Sequence, residues 1–308
     1  MKLSYLFLAC LIFIASCIEK NEFATVLETD PLTQNGEIFI DESGEEYWMG
    51  CENSYCYGFS GVAPDGDKTL QNLTIPNNLP ATFDLSSFLP EVGNQGRLGS
   101  CTAWATVYYG RSLLFNYGGG SSRTQGVRLS PSYIYNQITQ GQCKGTSIAR
   151  SLQLMVNEGA SEWDVFPYQS TGCNVQPTAD QRDNASNYKM GNYKILSGVN
   201  LVAEVKTLLT QGKPVVVAMG LDREFGKKDG MGLSAYRPHQ VKKAEIYGAH
   251  AMLVVGYSDQ FKAFKLVNSW GEGWGDNGFV WVDYEAFDNV FDLNNPFRVL
   301  CQAFVGMN

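Results

Sequence analysis

Of the eight cysteines and two histidines in this 308-residue chain, one cysteine and one histidine stand where nucleophilic chemistry could begin. A thiol attacks only as thiolate, and a helix N-terminus favours that form by setting partial positive charge beside it. Cys101 follows Ser100, a residue type that caps helices. It opens the stretch Ser100–Tyr117, in which Ala103, Trp104 and Val107 recur at helical spacing and Gly118-Gly119-Gly120 marks the end. Cys101 is therefore expected in the first turn of a helix. An imidazole must then take its proton. His250 lies in Gly248-Ala249-His250-Ala251 at the start of an apolar strand that can aim the ring, whereas His239 follows Arg237-Pro238 in a polar loop. An amide oxygen can orient the imidazole without removing its proton, and Asn268 closes a strand just before Ser269-Trp270-Gly271, whose indole could keep water off that bond. Acyl transfer also needs donors for the developing oxyanion. Gln95, six residues before Cys101 in a glycine-containing loop, can join the Cys101 backbone N–H in that role.

The elements that must position these groups change character along the chain. Residues 18–78 are polar and irregular. Gly36–Ile40 alternates like a strand, and an aromatic, glycine-containing stretch at Tyr47–Gly58 reads as a hairpin that a Cys51–Cys56 disulfide could staple. From Leu79-Pro80 the chain is dense in apolar residues without internal repeats, which sets the domain boundary there. A second helix is expected over Ser147–Glu158, with Gly159 as its left-handed cap. The last third runs to strands: Val215–Val217, Ala251–Gly256, Phe264–Val267 and Phe279–Val282. Helices first and strands later give an α+β fold, with any shared site in the cleft between the two parts.

Composition narrows the function classes. A formal net charge of −8, with no cluster of Lys and Arg, argues against nucleic acid. Zinc would want four ligands in close pairs with supporting histidines, so neither metal nor cofactor is expected. Met1-Lys2 followed by apolar Leu3–Ser16 reads as a signal peptide, residues 1–16. Its end, Ile14-Ala15-Ser16-Cys17, resembles a lipobox after which Cys17 would begin the mature chain and carry lipid. Ordinary cleavage after small residues is the alternative. Either way the protein is expected to be exported, and in the lipid-bearing form to be membrane-anchored.

Three blocks in order, Asn94-Gln95-Gly96-Arg97-Leu98-Gly99-Ser100-Cys101, Gly248-Ala249-His250-Ala251 and Asn268-Ser269-Trp270-Gly271-Glu272-Gly273-Trp274-Gly275, resemble the signatures of papain-like cysteine peptidases. His250 lies about 150 residues after Cys101, the family's wide spacing. The resemblance covers residues 79–308. It implies a two-lobed fold, a helical N-terminal lobe and a β-barrel-like C-terminal lobe with the site between them. It also implies a monomer acting on protein or peptide substrates, with Cys101 as nucleophile, His250 as acid and base, Asn268 as orienter and Gln95 in the oxyanion hole. Gly145-Thr146 stands where the family pairs a glycine ridge with substrate backbone. Leu98 replaces a family cysteine and Thr102 the tryptophan after the nucleophile. Cys143 and Cys173 remain to pair with each other, and Cys301, with no evident partner, is expected as a buried thiol. Residues 17–78 lack the family's helical propeptide pattern and read either as a tether or as a pro-like cover of the cleft. Two other functions fit the same residues: an inactive surface binding protein, and a thiol amidase or acyltransferase on a non-protein amide.

Overall fold

The computed structural model describes residues 37–51, 68–119, 126–196, 200–237, 246–288 and 299–308. Cys17, Cys56, His239 and the leader lie outside them.

The alternating stretch near Ile38 does form a strand, but its partner is nearer than the composition suggests. Strand β1 (Ile38–Ile40) pairs antiparallel with β2 (Glu46–Trp48), Ile38 facing Trp48. The Asp41 carboxylate closes the turn by accepting from the backbone N–H of Ser43 and Glu45 at 2.8 and 3.0 Å. The hairpin therefore spans residues 38–48, upstream of the one expected over Tyr47–Gly58. The Cys51–Cys56 staple is also corrected: Cys51 is a buried thiol and not half of a disulfide.

After β3 (Thr82–Asp84), the helix that carries Cys101 begins as α1 (Cys101–Ala103), widens into a π-helical stretch (Trp104–Arg111) and ends as α2 (Ser112–Gly119). Ser100 does not cap it through its side chain. Its hydroxyl instead lies 2.7 Å from the Tyr168 hydroxyl. The π-helical turns have no signature in hydrophobic spacing. One local cause is the Thr106 hydroxyl, which donates back to the Thr102 carbonyl at 2.7 Å and competes for the helix's own acceptors. Helix α3 (Pro131–Thr139) starts on a Ser130 cap, and α4 (Ile148–Asn157) on Ser147, whose hydroxyl accepts from Arg150 N–H at 3.2 Å. Gly159 ends α4 at φ +86°, and a Cβ there would come within 2.0 Å of the Ala185 carbonyl oxygen, so the position demands glycine twice over.

Beyond α5 (Ala179–Ser186) come β4 (Asn192–Ile195), α6 (Leu201–Thr210), β5 (Val215–Leu221), β6 (Lys227–Lys228), β7 (Ser234–Tyr236) and β8 (Gly248–Ser258). The chain continues through β9 (Ala263–Val267), β10 (Phe279–Asp283), α7 (Glu285–Asp288) and β11 (Leu300–Met307). Nine strands form one sheet in the order β4-β11-β5-β8-β9-β10-β7-β6, with β3 also paired to β8. Among the named strands of this sheet, every pairing is antiparallel except β10 with β7. All residues of β5 and β8 are buried, which is why both read as nearly unbroken apolar runs. Each of their larger aliphatic side chains stabilises the fold by roughly 1.5–3 kcal/mol through burial.

Cys143 and Cys173 form the expected disulfide, Cα–Cα 5.5 Å apart. It packs with Leu98, Ala103 and Tyr135, tying the far side of the helical lobe to the loop that precedes the nucleophile. Cys301 is disulfide-bonded, which overturns its reading as a free thiol; the other half of that bond lies outside the described residues.

Candidate active site

Cys101, His250, Asn268 and Gln95 come from four places in the chain and are each at most 1% exposed: Cys101 bonds to the backbone of Ala251, the residue after His250, His250 pairs with Asn268, and Gln95 bonds to Ser269. Cys101 is the first residue of α1. His250 sits within β8 opposite Met219 of β5, and that pairing fixes its backbone from one side. Asn268 follows β9 and is held at both backbone poles. Its N–H donates to the Gly278 carbonyl at 2.9 Å, and its carbonyl accepts from the Tyr109 hydroxyl at 3.0 Å.

His250 Nε2 lies 2.7 Å from Asn268 Oδ1. The same oxygen accepts from Ser269 N–H at 2.7 Å, which identifies it as the acceptor end of the amide. Nε2 therefore carries the proton and Nδ1 the lone pair. Nδ1 is buried and has no hydrogen-bond partner among the described residues. The Trp270 ring lies over the imidazole with centroids 4.6 Å apart and is 3% exposed, so it excludes water from the His250–Asn268 bond.

Gln95 is clipped to the same turn. Its backbone N–H donates to Ser269 O at 2.8 Å, and its Oε1 accepts from the Ser269 hydroxyl at 2.6 Å. With the oxygen thus engaged, Nε2 must face the other way. There it donates to Leu98 O at 2.8 Å and to Trp48 O at 2.9 Å. Trp48 O also accepts from Trp270 Nε1 at 3.1 Å. Two site donors thus converge on one peptide carbonyl, and that carbonyl belongs to the chain itself.

The stretch Glu37–Cys51 lies across the whole site. Met49 N–H donates to Glu37 O at 2.8 Å, Cys51 N–H to Ala249 O at 3.2 Å, and Ala249 N–H to the Glu37 carboxylate at 2.9 Å. The predicted ridge residues are engaged as well: Thr146 N–H donates to Gly50 O at 2.9 Å, and a Cβ on Gly145 would lie 2.8 Å from that oxygen. Phe39 and Tyr47 stack on Trp270 at 5.3 and 4.8 Å, while Phe225 and Tyr247 meet Phe39 edge-on. At the hairpin tip Glu42 pairs with Lys227 at 3.3 Å.

Burial sets the charge state of the pair. Burial pushes the Cys101 thiol up to about 11, only partly offset by hydrogen bonding from the backbones of Ala251 and Gly50 and from Thr102. Burial also lowers His250 to about 4 against the contrary pull of Asn268. Thiol and imidazole are both neutral around pH 7.

Residues 79–294 match the family described as papain family cysteine protease. The chain belongs to that family. It is 27% identical to Peptidase 1 of Dermatophagoides farinae, over 72% of this chain and 66% of the relative. To the gamete and mating-type specific protein A of Dictyostelium discoideum it is 28% identical, over 65% of this chain and 41% of the relative. Both matches span less than two thirds of the relative's own length. Among solved structures, xylellain, a cysteine protease from Xylella fastidiosa, superposes with a TM-score of 0.68 at 22% identity, covering 84% of this chain and 96% of that one.

For a papain-family chain, the pairing of His250 with Asn268 and the place of Cys101 at a helix start were visible in the sequence. What it did not reveal is the set of groups that hold Gln95, namely Ser269 and Tyr168, whose hydroxyl donates to Gln95 O at 2.7 Å. It also left undecided what lies in the cleft. One signal was present: Tyr47-Trp48-Met49-Gly50-Cys51 is an apolar run inside an otherwise polar segment, and such a run needs a surface to bury against.

Proposed function

We propose that this chain is an exported cysteine peptidase, monomeric, that hydrolyses peptide bonds in protein or peptide substrates and is held latent by its own residues 37–51. The observation that carries this reading is the Trp48 carbonyl held between Gln95 Nε2 and Trp270 Nε1, because a site that grips a peptide carbonyl beside a cysteine is built to act on one. Once the segment leaves, water reaches the cleft and the cost of charge separation falls. Cys101 can then pass its proton to His250 Nδ1. The thiolate attacks the substrate carbonyl, and Gln95 Nε2 with the Cys101 backbone N–H stabilises the oxyanion. The imidazolium protonates the leaving amine, leaving a thioester. His250 then takes a proton from water, whose attack releases the acid and regenerates the thiol. While the segment is seated, the thiolate that would cut it does not form.

A thiol-directed epoxide and a peptide library test the assignment. The opened wild-type chain is expected to cleave peptides and to carry a single adduct at Cys101, and Cys101→Ala to take no adduct and lose about 10⁴-fold or more in rate. Cleavage that survives in Cys101→Ala would reject the mechanism.

Export and attachment through Cys17 belong to the same reading. The Cys143–Cys173 and Cys301 disulfides support an oxidising compartment, where such bonds persist. Growth with an alkyne-tagged fatty acid is expected to label the protein, and Cys17→Ser to abolish the label; equal labelling of both would exclude lipid at that residue.

A further inference from the structure

Thr102 follows the nucleophile directly, is wholly buried, and takes no part in the proton transfers described above. Its Oγ1 donates to Thr146 O at 2.9 Å. Thr146 belongs to the ridge whose N–H reaches the other way, to the occupant of the cleft at Gly50 O. One residue of the ridge therefore grips the bound chain with its N–H, while its carbonyl is fastened to the nucleophile helix. Thr102 is itself restrained. Thr106 Oγ1 donates to Thr102 O at 2.7 Å and lies 2.6 Å from Ser151 Oγ on α4. Helix α4 begins on the Ser147 cap, the residue after Thr146. Ridge, nucleophile helix and α4 thus close a ring of buried hydroxyl contacts, with Thr102, Thr106 and Ser151 each at most 1% exposed.

We propose that Thr102 is a positioning residue for substrate: its hydroxyl holds the Gly145-Thr146 ridge in register with Cys101, so that an extended peptide paired to the ridge presents its carbonyl to the sulfur. The proposal rests on the peptidase reading and adds to it the device that aligns the substrate main chain. Alignment of this kind matters because reacting atoms must sit about 3–3.5 Å apart, and a misplacement of about 1 Å costs roughly a hundredfold in rate. A ridge built on one hydrogen bond from the next residue after the nucleophile shares that residue's coordinates. If the helix start shifts, the ridge shifts with it. The hydroxyl also borders the Cys101 sulfur, but its proton is directed at the Thr146 carbonyl.

Two readouts test this in the full-length chain. The first is hydrogen exchange of the Thr146 amide with the cleft segment seated, which needs no catalysis. Thr102→Val, which keeps the shape and removes the donor, is expected to speed exchange at Thr146 by at least about tenfold, and Thr102→Ser to restore wild-type protection. The second uses the same substitutions in a Gly50→Ala chain, comparing kcat/KM for an extended tetrapeptide with that for a minimal acyl ester too short to reach the ridge. The ratio of the two is expected to fall about tenfold in Thr102→Val and to recover in Thr102→Ser. Unchanged exchange at Thr146, or an unchanged ratio, overturns the proposal. Absence of any peptide cleavage by a Gly50→Ala parent whose Cys101 is alkylated faster than in the wild type overturns the peptidase reading instead, and the exchange readout still decides whether the hydroxyl holds the ridge.

Discussion

Replacing Gly50 by alanine is expected to open the cleft of the full-length chain, raising both the rate at which iodoacetamide modifies Cys101 and the rate of peptide hydrolysis by about 10- to 100-fold. The reason is a backbone collision. A Cβ on Gly50 would lie 2.3 Å from both Gly99 Cα and Gly99 O, a distance no rotamer change can relieve. Gly99 cannot retreat easily, because the loop around it is held by Gln95 Nε2 on Leu98 O at 2.8 Å and by Ser100 N–H on the same oxygen at 2.8 Å. Behind that loop stands the Cys143–Cys173 disulfide. The hairpin segment is the partner that can yield, since hydrogen bonds at Trp48 O, Gly50 O, Cys51 N–H and the Glu37 carboxylate, the Glu42–Lys227 pair and one aromatic cluster keep it in place. Overpacking of this kind costs about 1–3 kcal/mol, which would fall on the seated state alone. Cys101 alkylation followed by peptide mapping measures the effect, and an unchanged rate would mean that residue 50 does not control access to the thiol.

Acid should unseat the same segment. An imidazole in water titrates near 6.5, but His250 under the cover is lowered to about 4, so between those values the open chain binds a proton that the covered chain refuses. The covered state therefore keeps its full advantage above pH 6.5 and loses it as pH falls toward 4, at about 1.4 kcal/mol per unit. The Cys101 thiol, pushed up to about 11 by burial, acts with the opposite sign at the other end. Above about pH 8.5 an open thiol releases its proton and a covered one does not. The covered state is thus expected to be most favoured between these limits, with opening rising roughly 100-fold from pH 6.5 to 4. Tryptophan fluorescence reports the opening, because Trp270 loses its stacking partners when the hairpin leaves. Glu37, with its carboxylate on Ala249 N–H, and Glu42, paired with Lys227, are further titratable groups on this seat. His250→Gln retains Glu37 and should flatten the part of the acid limb that belongs to the imidazole. A wild-type profile that is level from pH 7 to 4 would reject the account.

How much of this was legible in the sequence depended on whether the determinant was local. The Cys101 helix start, the Ser147–Glu158 helix with Gly159 beyond it, and the four β-rich runs were all readable, because capping residues and apolar spacing act within a few residues. The His250–Asn268 pair was readable because one strand-borne histidine stood out from two. Ser100 was misread as a side-chain cap because a tertiary partner, Tyr168, claims its hydroxyl. The cysteines were misread where pairing depended on distant chain: Cys51 lies buried in the cleft as a thiol, and Cys301 is bonded. Thr102 was visible only as a departure from the family, since its value lies in a carbonyl 44 residues away in sequence.

The hairpin and the site it fills are parts of one polypeptide, and this governs how occupancy of the cleft responds to dilution. A tethered occupant acts at an effective concentration in the millimolar range, independent of how many molecules are present, so latency of this kind survives in arbitrarily dilute protein. With the Cys301 disulfide reduced, one cut in the chain between Cys51 and Lys68 would convert the same contacts into an ordinary bimolecular complex. The released segment would then drift away at low concentration and rebind at high concentration. Such a break would let the cleft empty without altering any contact in it.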